Sequence, residues 1–127
     1  MRVNTNELIG HALDWAVAKC EGEEAELNRG EVVTWKTVAL HEYRLVWEPS
    51  TNWAQGGAII EREKMGLRCG DGTWGVAEDK WEASHPECLY VKHGATPLIA
   101  AMRCYVASKL GDEVEVPDEL IQEVTND

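Results

Sequence analysis

No phenylalanine occurs in the 127 residues, so aromatic packing falls to six Trp and three Tyr. Tryptophan joins a large apolar face to one N–H donor, and this set supplies core and binding surface alike. No hydrophobic run approaches the length of a membrane span, so no membrane partner is expected. The first residues, with Asn4, Asn6 and Glu7, lack a secretory leader pattern, and a cytosolic chain is expected. There is no Cys-x-x-Cys pair: the cysteines stand at 20, 69, 88 and 104. A domain of this size does not need disulfide staples, so reduced, mostly buried thiols are expected. Phosphate-cradling loops of the Walker or Rossmann type are missing; Gly70-Asp71-Gly72 and Gly56-Gly57 lack the strand–loop–helix context.

Positive charge is absent from two stretches. Residues 21–26 hold four acids and residues 112–127 hold seven, and neither contains Lys or Arg. The rest of the chain is left with twelve acids against twelve bases, so the net charge of −11 lives in one loop and one tail. Sequence-independent binding to duplex DNA needs many phosphate-neutralising cations and is disfavoured. A local pocket for a small anion remains compatible with the balanced remainder. The plainest expectation for the acids of that loop and tail is that they keep the protein soluble.

What is present begins with Thr96–Gly111. Thr96 is a good N-cap, Pro97 suits the first helical position, and Gly111 suits the C-terminal cap. Leu98, Ile99, Met102, Val106 and Leu110 form an apolar stripe, while Ala100, Ala101, Cys104 and Ala107 permit close approach. A first helix is expected from Asn4, with Glu7 completing a capping box, through about residue 20. On it Leu8 to Cys20 supply the apolar face, and His11, Asp14 and Lys19 face away. Residues 21–31 read as loop; Val32–Val38 and Tyr43–Trp47 could be two short strands or belong to an irregular excursion. Pro49–Asn52 is a turn, with Ser50 or Thr51 the candidate cap of a helix over Trp53–Lys64.

Residues 66–93 read as a β-meander: Leu67–Cys69, Thr73–Val76 pairing back, Lys80–Ser84, and Cys88–Lys92. After Gly111 the chain should be extended over Val114–Pro117, with Asp118 capping a last turn through Leu120, Ile121 and Val124. The expected class is α+β: a small α/β sandwich whose antiparallel meander of about three or more strands is covered by helices. A single domain spans 1–127, with 112–127 an acidic C-terminal extension.

His85-Pro86-Glu87-Cys88 places a nitrogen and a thiol three apart, but zinc needs three or four ligands and no second pair exists. No metal and no cofactor are expected. A Cys–His nucleophile could be drawn from Cys69 or Cys88 with His85 or His93, yet nothing activates either thiol, and buried structural cysteine is favoured. Carboxylate pairs such as Glu61 with Glu63 or Glu78 with Asp79 read as solvated surface. Enzyme is the weaker class.

The Ser50–Arg62 block carries the functional expectation. A helix start offers free N–H groups and partial positive charge to an anion. Trp53 can stack on a ring, Gln55 can read an edge, and Gly56-Gly57 would admit a ligand against bare backbone. Arg62, with Arg103 if it shares that face, can pair with a phosphate. The candidate ligand-binding set is therefore Ser50, Thr51, Asn52, Trp53, Gln55, Gly56, Gly57, Arg62 and Arg103. The competing reading makes Trp53 and the glycines core packing and leaves Arg62 on a solvated face.

Four blocks, Leu13–Gly22, Ser50–Glu63, Trp81–Ala83 and Thr96–Gly111, resemble the phage NinX-like proteins, small tailed-phage proteins of unassigned function. The resemblance covers nearly the whole chain. That family commonly has Asp where this chain has Asn52, so a carboxylate role there does not carry over. The last helix is also similar to that of a wider group of phage domains with an α/β sandwich. The resemblance implies an accessory protein acting in the cytoplasm of the infected bacterium, and it supplies no catalytic residues.

Two functional expectations follow. One is a non-enzymatic binder of a nucleotide-like small molecule, sequestering a host immune signal as counter-defence. The other is an acidic protein-interaction module or DNA mimic that docks on a host or phage protein. Exposed tryptophan on a small domain also makes a homodimer an open expectation.

Overall fold

The computed structural model describes residues 1–73 and 76–121. Its axis is α3 (Pro97–Leu110). Thr96 Oγ1 accepts from the Ile99 N–H at 3.1 Å, Pro97 occupies the first turn, and Gly111 ends the helix with φ 87°. The stripe inferred from spacing is wider than expected: Leu98 and every residue from Ala100 to Val106 are buried, whereas Leu110 is exposed. A helix apolar around its circumference belongs at the centre of a domain. Both α1 (Gly10–Cys20) and α2 (Trp53–Glu63) pack on α3.

All strand pairing among the described residues is antiparallel, as expected of an α+β domain, but the strands form three sheets. The meander is β5 (Gly66–Cys69), β6 (Trp81–Ser84) and β7 (Lys92–Gly94), and α3 lies against it. A second sheet contains β2 (Ala25–Asn28), β3 (Glu31–Val38) and β4 (His41–Val46). The third ties the two ends of the chain: β1 (Arg2–Asn4) pairs with β8 (Glu113–Glu115), Val3 opposite Val114.

Several local expectations give way to tertiary contacts. Asn4 caps only a 3-10 turn, Thr5–Glu7, by accepting from the Asn6 N–H at 2.9 Å. Leu8 stays extended and fully buried, its carbonyl held by Arg103 Nε at 2.7 Å, so α1 starts at Gly10 without a side-chain cap. The acidic segment expected as loop contains β2, which pairs with β3 through a two-residue turn at Arg29-Gly30. The partner of β5 is β6; Thr73 and Val76 lie in no strand, and Trp74 and Gly75 fall outside the described residues. Cys88–Val91 is loop, and the last meander strand begins only at Lys92.

The acidic tail is built into the domain through residue 120. Val114, Val116 and Leu120 join the core. Asp118 opens a 3-10 turn after Pro117 instead of capping one, and Val124 lies outside the described residues.

Candidate functional site

Neither Ser50 nor Thr51 caps α2. Asn52 does, its Oδ1 accepting from the N–H groups of Ala54 (2.9 Å) and Gln55 (3.4 Å). Ser50 is unavailable because its own N–H turns inward to Asp14 Oδ1 at 2.9 Å, and Thr51 Oγ1 turns back to the Glu48 carbonyl at 3.4 Å. Helical spacing turns Asp14 outward, yet it is 2 % exposed. Burial pushes its carboxyl up to about 6, opposed by the Ser50 N–H, the Ser50 hydroxyl and nearby His11. An acid inside an apolar helical face holds the turn that enters α2; spacing does not distinguish this from a solvated acid.

Gln55 is occupied at both ends: Oε1 accepts from the Glu48 N–H at 2.7 Å and Nε2 donates to the Val46 carbonyl at 2.9 Å. It anchors β4 to α2 and is not free to read a ligand edge. Gly56 is buried against the Pro49 carbonyl and Leu98, so close packing explains it. Gly57 instead lies beneath the Trp53 ring: a Cβ there would sit 3.5 Å from Trp53 Cε3.

Trp53 itself is 55 % exposed. It borders a groove of about 220 Å³ whose one wall is Ser50, Thr51 and Trp53, and whose other is Thr96, Pro97, Leu98 and Ile99. The starts of α2 and α3 therefore meet there. Cap side chains satisfy the N–H groups of Ala54, Gln55 and Ile99. Among the described residues, the Trp53 and Leu98 N–H groups have no intrachain acceptor. Sequence reasoning recognises the Thr96-Pro97 helix start but has no signal that it opposes Trp53.

The structure places both arginines away from the groove. Arg62 makes a two-point pair with Glu21 (Nη1 2.9 Å, Nη2 2.7 Å), and also donates to Glu63 from Nε (3.0 Å) and to Tyr105 Oη from Nη2 (3.1 Å). Tyr105 donates its hydroxyl to Glu21 in turn. Burial works against the Glu21 charge, but the bonds from Arg62 and Tyr105 outweigh it and hold the carboxyl below its ordinary range. Arg103, 7 % exposed, donates from Nε to the Leu8 carbonyl and from Nη1 to the His93 carbonyl at 3.0 Å. It lines a separate cavity of about 260 Å³ with Lys80 and His93. Positions 103 and 105 are some 200° apart around a helix, which separates Arg103 from the Tyr105–Arg62 cluster.

The thiols are less buried than expected: only Cys104 is buried, Cys20 and Cys88 are half-buried and Cys69 is exposed. His85 accepts from the Glu87 N–H at Nδ1 (2.9 Å), so its ring proton sits on Nε2 and faces Glu63 Oε1 at 2.9 Å. Burial pushes the thiols of Cys20 and Cys104 up to about 12, far from thiolate reactivity. Cys88 points its sulfur at the Tyr90 carbonyl.

Comparison with protein families finds a match over residues 4–109 to the family described as Bacteriophage P22, NinX. That span contains every groove residue; β8 lies beyond it. Comparison with curated proteins finds no match.

Proposed function

We propose that this chain, which belongs to the Bacteriophage P22 NinX family, captures a small molecule with one planar ring and at most one anionic group. As a phage accessory protein it would hold that molecule in the groove between the starts of α2 and α3. The observation that carries the reading is the half-exposed Trp53 ring beside a cleft where two helix N-termini converge.

The groove's size and charge narrow the ligand. Pockets for drug-sized molecules run from roughly 300 Å³ upward, so about 220 Å³ takes a ring and leaves the remainder in solvent. None of the lining residues is charged. With Arg62 and Arg103 engaged elsewhere, an anion finds only helix-terminus charge, worth about 0.3–1 kcal/mol per terminus at an exposed site. A nucleobase, nucleoside or single-phosphate nucleotide suits that arrangement, and a polyphosphate does not. Sequestration of a host signalling nucleotide of that kind would be the consequence during infection.

Calorimetric titration with nucleosides and with mono-, cyclic and diphosphates tests this. Base–aromatic stacking is worth about 1–3 kcal/mol, so Trp53→Ala should weaken binding at least tenfold while Trp53→Phe keeps part of it. Flat titrations across the panel, or unchanged affinity in Trp53→Ala with the fold intact, would refute the proposal.

A further inference from the structure

The β3–β4 hairpin leaves the body as a two-stranded arm. Trp35, Val38, Leu40 and Tyr43 are exposed along it, and Leu40 at the tip is 98 % exposed. Ala39 and Leu40 form the two-residue turn with φ of 51° and 71°, a conformation that ordinarily calls for Asn or Gly. An apolar, strained tip brings no packing to the isolated chain.

β4 is an edge strand, since its sheet runs β2-β3-β4. Natural edges are blunted by charged side chains, Lys above all, by Pro or by a bulge; His41–Val46 has no Lys, no Pro and no bulge, its acid and its base, Glu42 and Arg44, are of opposite sign, and it pairs with β3 residue for residue from His41 to Val46. Its hydrogen-bond phase follows from the turn. Val38 and His41 close a two-residue hairpin as a hydrogen-bonded pair, so the main-chain groups of His41, Tyr43 and Leu45 point to β3. Those of Glu42 and Arg44 point to the open edge, which ends at Val46, whose outward carbonyl accepts from Gln55 Nε2. Glu42 and Arg44 lie on one face of the arm, and neither has an ion-pair partner among the described residues.

The geometry points to a homodimer in which β4 pairs antiparallel with β4 of a second copy, about a two-fold axis at Tyr43. An axis there sets Glu42 opposite Arg44 of the second copy twice over, each as a hydrogen-bonded pair with its outward main-chain groups matched. An axis at Glu42 would put Glu on Glu, and one at Arg44 would put Arg on Arg; like charges directly opposite are unfavourable. Moving the axis by half a residue mismatches the outward groups altogether. The Tyr43 rings face each other across the axis in a non-hydrogen-bonded pair, where side chains come closest. A two-fold interface needs such a self-complementary strand.

The test uses the full chain and two charge reversals, Glu42→Arg and Arg44→Glu, with circular dichroism to check folding. Native mass spectrometry and sedimentation should find the parent chain dimeric. Each single variant replaces two attractive pairs by two repulsive ones and should raise the dimer dissociation constant by roughly thirtyfold. The two single variants mixed should form a heterodimer, because the Glu42→Arg copy then sets two arginines against the two glutamates of the Arg44→Glu copy. The double variant E42R/R44E should dimerise like the parent. A monomeric parent chain, single variants that dimerise undiminished, or a mixture that yields no heterodimer would each overturn the inference.

Discussion

Adjacent glycines in α2 should respond to alanine in opposite directions. In a helix interior Gly is about 1 kcal/mol less favourable than Ala, so either substitution gains that increment before its surroundings are considered. At Gly57 the new methyl would rest 3.5 Å from Trp53 Cε3, an ordinary contact, and the increment should survive. Gly57→Ala is therefore expected to stabilise by about 0.5–1 kcal/mol and raise Tm by roughly 2–4 °C. At Gly56 the methyl would strike the Pro49 carbonyl and come within 2.6 Å of Leu98 Cδ2. The leucine terminus can rotate, but the carbonyl belongs to a proline whose φ is fixed and to a turn held by Asp14. Overpacking typically costs about 1–3 kcal/mol and more against backbone. Set against the helix increment, Gly56→Ala should destabilise by about 2 kcal/mol and lower Tm by several degrees. Urea unfolding followed by circular dichroism reads both, with an unchanged m-value showing that the surface exposed on unfolding is the same in parent and variants. Shifts of the same sign in the two variants would refute this account of the glycine pair. Since Pro49 precedes the Ser50–Thr51 wall and Leu98 lines the opposite one, Gly56→Ala should also widen the groove, whereas Gly57→Ala should leave ligand titrations intact.

Asp14 makes stability fall as pH rises. Its carboxyl titrates at about 6 in the fold against 3.8 unfolded, so the native state keeps a proton that the unfolded chain releases. The penalty is absent below about pH 4, grows up to about pH 6 and then stays near 3 kcal/mol. Asp14→Asn keeps an oxygen for the Ser50 N–H, so its unfolding midpoint should exceed the parent's near pH 7 and coincide with it near pH 4; superposed curves at both would refute the burial argument. Truncation after Gly111 removes Val114, Val116 and Leu120 from the core. At about 1.5–3 kcal/mol per buried side chain the loss over the three is roughly 4.5–9 kcal/mol, comparable with the whole stability of a domain this size. The truncated chain should therefore lack a cooperative thermal transition, and a sharp one would show the tail to be dispensable.

How much of this is legible in the sequence depends on the range of the interaction involved. The α3 helix is readable because Thr96, Pro97 and Gly111 act within one turn of themselves, and a run of apolar and small residues needs no partner to declare burial. The span of α2, though not its cap, and the antiparallel α+β class are readable too, whereas the β-branched runs of β3 and β4 leave strand and irregular excursion both open until pairing decides between them. The family blocks are likewise legible, and the match over residues 4–109 bears that reading out.

Tertiary structure decided what depended on residues far apart in the chain. Asn4 has the sequence of a helix cap, but pairing of Arg2–Asn4 with Glu113–Glu115 and capture of the Leu8 carbonyl by Arg103 delay α1 to Gly10. Arg62 looks like a phosphate ligand until Glu21, just past the end of α1, and Tyr105 of α3 meet it. The groove exists only because Thr96–Ile99 packs opposite Ser50–Trp53. Local chemistry selects helices, strands and caps because hydrogen bonds a few residues apart form at little loop-closure cost. Which carboxylate meets which arginine, and which helix start faces which tryptophan, is set by how the buried faces fit together, and no neighbouring residue encodes that.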